Sequence, residues 1–350
     1  MRPIDITSRP DAPGDWNAFA DAHGGFYHRA EWLEAIARCF SFGARFIEAR
    51  RDNELVGIMP VAEVPSLLGP RRLVSLPFSY AVGPVATSAD ATSALVNSVC
   101  ELAREGGVGR VEIKRWPGSE GSAPEAGFTR TTHYAAYRVS TNDGADAVFS
   151  RLHPSHVQRG IKKARKGPLE AVWSDSLEDW TTMATLQART SHRLGTPAPP
   201  TRFFTVACRE LQERGLVDLL LARHPNGEAV AGLTLWKGTR EWIYSFGASL
   251  PEHLDLRPNH LLLWTALERA AAARVTFDLG RAAPEQHGLA EFKRRWAGEP
   301  VALAYDYWPR PKGLNVAARD EGPLAMAAKV WSHLPFSLAR RGSFLYRYLG

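Results

Sequence analysis

Hydrophobic positions along the chain recur with two periods, and the alternation between them lays out the elements. Residues 31–39 (EWLEAIARC) carry apolar side chains at helical spacing. The next stretch, 45-RFIEARRDNELVGIMPVAEV-64, reads as two Val/Ile-rich strands around an Asp52-Asn53 turn. A further apolar run, 73-LVSLPFSYAVGPVA-86, precedes a predicted helix over 90–106. Its Leu95, Val96, Val99, Leu102 and Ala103 share a face, with Asp90 as N-cap and Gly106 as stop. A strand over 108–116 closes this block and ends in basic residues.

The same order returns in the second half. Residues 217–236 predict strand, a Pro225-Asn226-Gly227 turn, and strand, and residues 240–249 predict a third strand. A helix over 259–273, which Asn259 can cap, leads to a last strand over 275–281 that ends in Arg281. The segments 52-DNELVGI-58 and 226-NGEAVAGL-233 share turn, acid, Val and Gly in that order. The pattern predicts two copies of one α/β unit, each a mostly antiparallel sheet with a crossover helix between its last strands. Between the copies, residues 144–167 predict a helix, a break near Pro154 and a basic helix. Residues 176–195 and 201–215 predict two amphipathic helices joined by a Pro-rich loop. The expected organisation is a first domain over 1–143, a second over 144–312 with the basic segment at its entrance, and a basic amphipathic tail over 313–350.

Composition narrows the function classes modestly. With 350 residues, 45% hydrophobic and 23% charged, the chain is long enough for two folded domains. A net charge of +6 permits an anionic partner (phosphate, nucleic acid or lipid headgroup) without demanding one. Cys39, Cys100 and Cys208 are scattered and read as small buried hydrophobes rather than a disulfide framework. His153, His156, His192 and His287 lack ligand spacing, so no metal is expected. No apolar run reaches membrane-spanning length and the first residues lack a signal-peptide core, which makes the cytoplasm the expected location.

Candidate chemistry concentrates in 277-FDLGRAAPEQHGLAEFKRRWAGEP-300. If FKRRW is helical, Phe292 and Trp296 share a face at i, i+4 and hold Lys293 beside that anchor, where an ammonium can neutralise an oxyanion or a phosphate. A surface lysine on an amphipathic segment is the plain alternative. Strand alternation puts Asp278 on the face opposite Phe277 and Leu279, where it can take a proton from an amine or pair with Arg281. On a helix, Arg159, Lys162, Lys163 and Lys166 form one stripe able to track phosphates, or a merely solvated face. Tyr244 and Asn259 border the same strand and helix start as candidate donor contacts, Asn259 also serving as a cap. Trp32 and Tyr80 are candidate acceptor-side aromatics, with core packing as the alternative. The tail from Trp331 to Leu349 mixes aromatics with Arg340, Arg341 and Arg347, and suits either an anionic membrane surface or docking on the body.

The segments 29-RAEWLEAI-36, 55-LVGIMPV-61, 72-RLVSLPFSYAVGP-84, 159-RGIKKARK-166, 230-VAGLTLW-236, 244-YSFGAS-249, 258-PNHLLLW-264, 277-FDLGR-281 and 292-FKRRW-296, in this order and spacing, resemble the FemAB-like tandem members of the GNAT acyltransferase superfamily. The tail over 331–350 is similar to the subgroup associated with exopolysaccharide and protein-sorting gene clusters. The resemblance implies two tandem GNAT-like domains and transfer of an acyl group to an amine of a cell-envelope or exopolysaccharide precursor, small or lipid-linked. It implies a co-substrate, acyl-CoA first and aminoacyl-tRNA second, rather than a resident cofactor, and a place in the cytoplasm or at the inner face of the membrane. Roles for Arg281 and the basic stripe in donor binding, and for Trp32, Tyr80, Phe292 and Trp296 in substrate binding, follow from it. Three departures stand out. The glycine-rich phosphate loop of simple acetyltransferases is missing from both 84–96 and 249–262, Ala282 replaces the usual Ser, and Ala297 replaces the usual Gly of Phe-Lys-x-x-Trp-Gly. The last two keep open a non-catalytic, ligand-binding member of a polysaccharide assembly system.

Overall fold

A computed structural model of the chain describes residues 2–66, 69–117, 127–309 and 323–349. The expected 312/313 boundary lies outside the described residues. The chain divides into two units, the first comprising 1–135, 302–315 and 347–350, the second 136–301 and 316–346. The first crossing falls at Ala135/Ala136, inside a strand, rather than in the loop at 143/144.

In chain order the first elements are β1 (Asp5–Arg9), α1 (Trp16–His23), α2 (Ala30–Phe40), β2 (Gly43–Arg51), β3 (Glu54–Val64), β4 (Arg72–Val74), β5 (Val85–Ala86), α3 (Ala89–Glu105), β6 (Arg110–Lys114) and β7 (Thr129–Val139). The β2–β3 hairpin turns at Asp52 and Asn53, both with positive φ, as its two-residue connection requires. β1, β2, β3 and β4 pair antiparallel in that order, and α3 then carries the chain over to β6, which runs parallel to β4. The helix starts at Ser88 as N-cap; Asp90 lies in its first turn, where it pairs with Arg51 instead of capping. The apolar face read from the sequence is the buried one: Leu95, Val96 and Val99 pack on Ile47, Met59, Val61 and Ile113.

The chain continues through α4 (Ala145–Arg151), a helical turn over Pro154–Gln158, α5 (Arg159–Lys166), β8 (Glu170–Ser174), α6 (Leu177–Arg193), a second turn over Phe203–Cys208, α7 (Arg209–Glu213), β9 (Val217–Arg223), β10 (Ala229–Lys237) and β11 (Glu241–Ser249). Then come α8 (Pro258–Ala272), β12 (Thr276–Ala282), α9 (His287–Arg295), β13 (Glu299–Trp308), α10 (Pro323–His333) and α11 (Phe336–Arg341). In the second unit the strand order is β7-β12-β11-β10-β9-β8. β8 to β11 are antiparallel, and β11 and β12 are parallel with α8 as their crossover. Each unit is thus the mixed α/β arrangement expected, antiparallel except where its crossover helix returns the chain. α8 holds its place by burying Leu262, Leu263, Trp264 and Leu267, each contributing roughly 1.5–3 kcal/mol.

Candidate functional site

β11 and β12 pair over only three positions, Glu241–Thr276, Trp242–Phe277 and Ile243–Asp278, and then part. Beyond the fork, Tyr244, Ser245, Phe246 and Gly247 are all half-buried, so solvent still reaches the residues that line the parted strands. Where β11 parts from β12, Lys293 reaches the backbone of β12. Its Nζ donates to Leu279 O at 2.7 Å and Arg281 O at 2.8 Å, and lies 5.8 Å from the Tyr137 ring centre. Of three N–H donors one remains. Gly280, with φ +79°, has no side chain to cover this group; a Cβ there would sit 3.4 Å from Nζ and 3.6 Å from Tyr244 O. Lys293 is only 4% exposed, and burial pushes its ammonium down to about 8, assisted by the nearby Arg281 guanidinium and opposed by Asp278.

The helix that delivers Lys293 is built as its spacing predicts. Phe292 and Trp296 share a face of α9, rings 6.2 Å apart, with Trp296 fully buried beside His260. The helix stops at Ala297, whose φ of +58° is the left-handed turn commonly given to Gly, while Gly298 N–H donates back to Lys293 O at 2.9 Å. Ala297 therefore performs the same helix stop that glycine would, at a cost in strain.

Asp278 lies at the fork itself, 1% exposed. One carboxylate oxygen accepts Gly280 N–H at 2.7 Å and the other faces Arg138 Nε at 3.4 Å. Arg138 also reaches Glu241 Oε2 at 3.2 Å; burial pushes that carboxyl up to about 7 against the opposing Arg138 guanidinium, with Asp278 adding to the rise. Asp278 is thus engaged in shaping the fork. Tyr244 stands where the strands part, its phenol lying over Gly247, where any side chain would collide with it; burial pushes that phenol up to about 12. Arg281 is half-buried at the end of β12, and Ala282 is buried behind it. Asn259 does not cap α8: the N-cap is Arg257 in a left-handed conformation, and Pro258 opens the helix. The Asn259 amide instead donates to Ser249 Oγ at 3.2 Å, tying the end of β11 to the start of α8.

Arg159, Lys162, Lys163 and Lys166 are exposed and, with Gly167, line one open depression of about 450 Å³. The opposite face of α5 buries Gly160, Ile161 and Ala164, and Gly160 lets the His260 ring of α8 lie against it. Arg165 points elsewhere and pairs with Glu268 at 2.5 Å. The four stripe cations form no ion pair among the described residues.

In the first unit, Trp32 and Tyr80 belong to a buried aromatic cluster. The Trp32 indole N–H donates to Ser79 Oγ at 3.0 Å and its ring lies 5.5 Å from Phe26, while Tyr27 and Tyr80 are 5.4 Å apart. They support the segment after β4. There the second fork, between β4 and β6, is filled: of residues 75–84 all but Phe78 are buried. Ser75 N–H donates to Glu112 O at 2.8 Å, Val82 N–H to Lys114 O at 2.9 Å, and Lys114 Nζ to Leu76 O at 2.8 Å. His28 Nε2–H donates to Gly83 O at 3.0 Å, and complete burial pushes this imidazole down to about 4, keeping it neutral.

Residues 151–294, which run from the end of α4 through the fork to Lys293 and Arg294, match the family model of the acetyltransferase (GNAT) domain. The chain carries a GNAT acyltransferase domain. No curated protein matches the sequence. Among solved structures the chain resembles FemX, with a TM-score of 0.71 at 18% identity over 86% of this chain and 96% of that one. It also resembles a C-terminal domain from Agrobacterium fabrum described as that of a lysylphosphatidylglycerol synthetase, with a TM-score of 0.53 at 13% identity over 79% and 85%. A tandem GNAT protein from the clavulanic acid biosynthesis pathway gives 0.51 at 13% identity over 88% and 100%. At such identities these likenesses establish the fold, which is shared with FemX and with a tandem GNAT protein. The fork also involves two functional candidates that sequence reading missed, Glu241 inside the matched residues and Arg138 ahead of them. Arg138 sits on β7, a strand that went unassigned, and Glu241 opens a strand whose inward positions are otherwise apolar. A carboxylate at that inward parity was the available signal.

Proposed function

We propose that this acyltransferase takes an aminoacyl group from tRNA and joins it to an amine of a cell-envelope or exopolysaccharide precursor. The observation that carries the donor choice is the α5 depression. Four cations that form no ion pair among the described residues line one face, and the opposite face of that helix packs on the first turn of α8, whose start borders the fork. A phosphodiester chain suits such a row, since each neutralised phosphate adds affinity through counterion release. A standard acyl-CoA cradle is less well served. The place of the glycine loop is taken by the helical turn Pro251–Leu256, and α8 opens on Pro258, which has no N–H to offer a pyrophosphate. A neighbour whose description names a lysyl lipid synthetase also supports an aminoacyl donor.

In this reading the amine attacks the ester carbonyl in the fork, and the remaining Lys293 N–H stabilises the oxyanion. The Tyr244 phenol, protonated throughout the working pH range, donates to the departing ribose oxygen. The proton lost by the attacking amine returns to the Tyr244 oxygen, so one proton reaches the ribose hydroxyl and no net proton is exchanged. Asp278 and Arg138 act by holding Gly280 and the fork in shape. Ala297 keeps the helix stop, so it gives no support to a non-catalytic member.

Transfer from a mixture of aminoacyl-tRNAs to envelope precursors, run beside a panel of CoA thioesters, tests the donor. Expected is tRNA retention whose affinity drops about a hundredfold between 50 and 200 mM salt, the slope for about four phosphates, and whose slope shrinks by roughly one for each stripe cation changed to Ala. Thermal stabilisation by a CoA thioester with no salt-dependent tRNA retention would transfer the assignment to acyl-CoA.

A further inference from the structure

The end of the chain is docked by one face and left apolar and basic on the other. The docked face is fixed by His192 Nε2–H donating to Leu334 O at 2.8 Å, by the Phe336 ring 5.7 Å from His192, and by Gly195, whose bare backbone meets Ala328. Away from these contacts Met326 is 71% exposed, Val330 58%, Leu338 51% and Phe344 63%. Met326 and Val330 are i, i+4 neighbours on α10. Leu194, 62% exposed, adjoins the Gly195–Ala328 contact and extends the patch onto the end of α6. Residues 323–349 contain Lys329, Arg340, Arg341 and Arg347 and no Asp or Glu. Lys329, Arg340 and Arg341 are exposed and form no ion pair among the described residues.

Single exposed apolar side chains are ordinary, but several of them set among cations with no acid is a specific pairing of chemistries. Apolar tips enter the acyl boundary while cations meet anionic headgroups. At 11 residues α10 is about 16 Å long, far short of the bilayer core. No described helix is long and apolar enough to cross a membrane. We propose that the face formed by α10, α11 and the following turn seats the protein on an anionic phospholipid surface, lying along it. This inference does not depend on which donor the site takes.

The test is co-sedimentation of the full chain with vesicles of phosphatidylcholine, with and without phosphatidylglycerol. Expected is binding at least about tenfold tighter when phosphatidylglycerol is present, weakening as salt rises. R340E/R341E should cost about tenfold or more, and M326S/V330S should also weaken binding. Both variants should melt like the parent, because the changed side chains are exposed. Absence of binding to phosphatidylglycerol vesicles overturns the proposal, as does binding that neither variant alters. If light scattering instead shows a dimer that M326S/V330S dissociates, with no vesicle binding, the face belongs to a second copy of this chain.

Discussion

At the scale of single residues, Lys293 combines two duties. It supplies donors to two carbonyls of β12, and it keeps one N–H beside an uncovered glycine. Lys293→Met should therefore lower both stability and turnover. Orphaning the two carbonyls costs about 2 kcal/mol or more, and losing an oxyanion donor costs about a hundredfold in kcat. Chemical denaturation and single-turnover assays separate the two effects. As a cationic donor with its pKa pushed down to about 8, Lys293 should also make turnover fall as pH rises through that value. Stability moves the other way there: between about 8 and the unperturbed 10.5 the unfolded chain holds more protons, so folding gains as pH rises. Glu241 has the opposite sense. Its carboxyl, raised from 4.5 to about 7, binds a proton more readily when folded, so stability is greatest below 4.5 and falls as pH climbs to 7. Glu241→Gln should flatten that slope in urea midpoints measured from pH 4 to 8; an unchanged slope refutes the assignment. Lys293 was legible because FKRRW carries a helical anchor around a cation. Its carbonyl partners were not, since backbone groups leave no mark in side-chain pattern.

At the scale of elements, the turn residues carry the sharpest consequences. Ala297 adopts a left-handed conformation at the end of α9, which costs a side-chain-bearing residue roughly 1–2 kcal/mol. Ala297→Gly should raise stability by about 0.5–1 kcal/mol without altering transfer, read from thermal melts and initial rates. Gly280→Ala meets the reverse: the same kind of strain, roughly 1–2 kcal/mol, plus a methyl group set 3.4 Å from the Lys293 ammonium. Turnover should fall by more than the stability loss explains. The repeated order of hairpin, third strand, crossover helix and last strand was readable because those strands are rich in Val, Ile and Leu on both faces. β1, β7, β8 and β13 were not read, for a common reason. They hold few buried positions in a row or mix charged residues into the strand, as in 170-EAVWS-174 and the outer half of β7. Helix starts were misread where an acid or amide looked like a cap. Ser88 stands ahead of Asp90, and Pro258 ahead of Asn259.

At the scale of the molecule, the two copies of the fold differ in what they do with their forks. The first unit ties its last strand down with a buried charge cluster. Asp306 accepts Arg115 Nε at 2.7 Å and Arg130 Nε at 2.6 Å, with Asp306 fully buried. Asp306→Ala, which would remove the carboxylate that both guanidinium groups share, should cost about 3–5 kcal/mol in unfolding free energy. The fork of that unit is occupied by its own residues 75–84, whereas that of the second unit is lined by half-buried residues. On the proposed function, the donor has room at the second fork alone. A donor titrated into this protein should saturate at one equivalent per chain, with a single-site isotherm and no weaker second phase. The stoichiometry is written in the segment that follows β4.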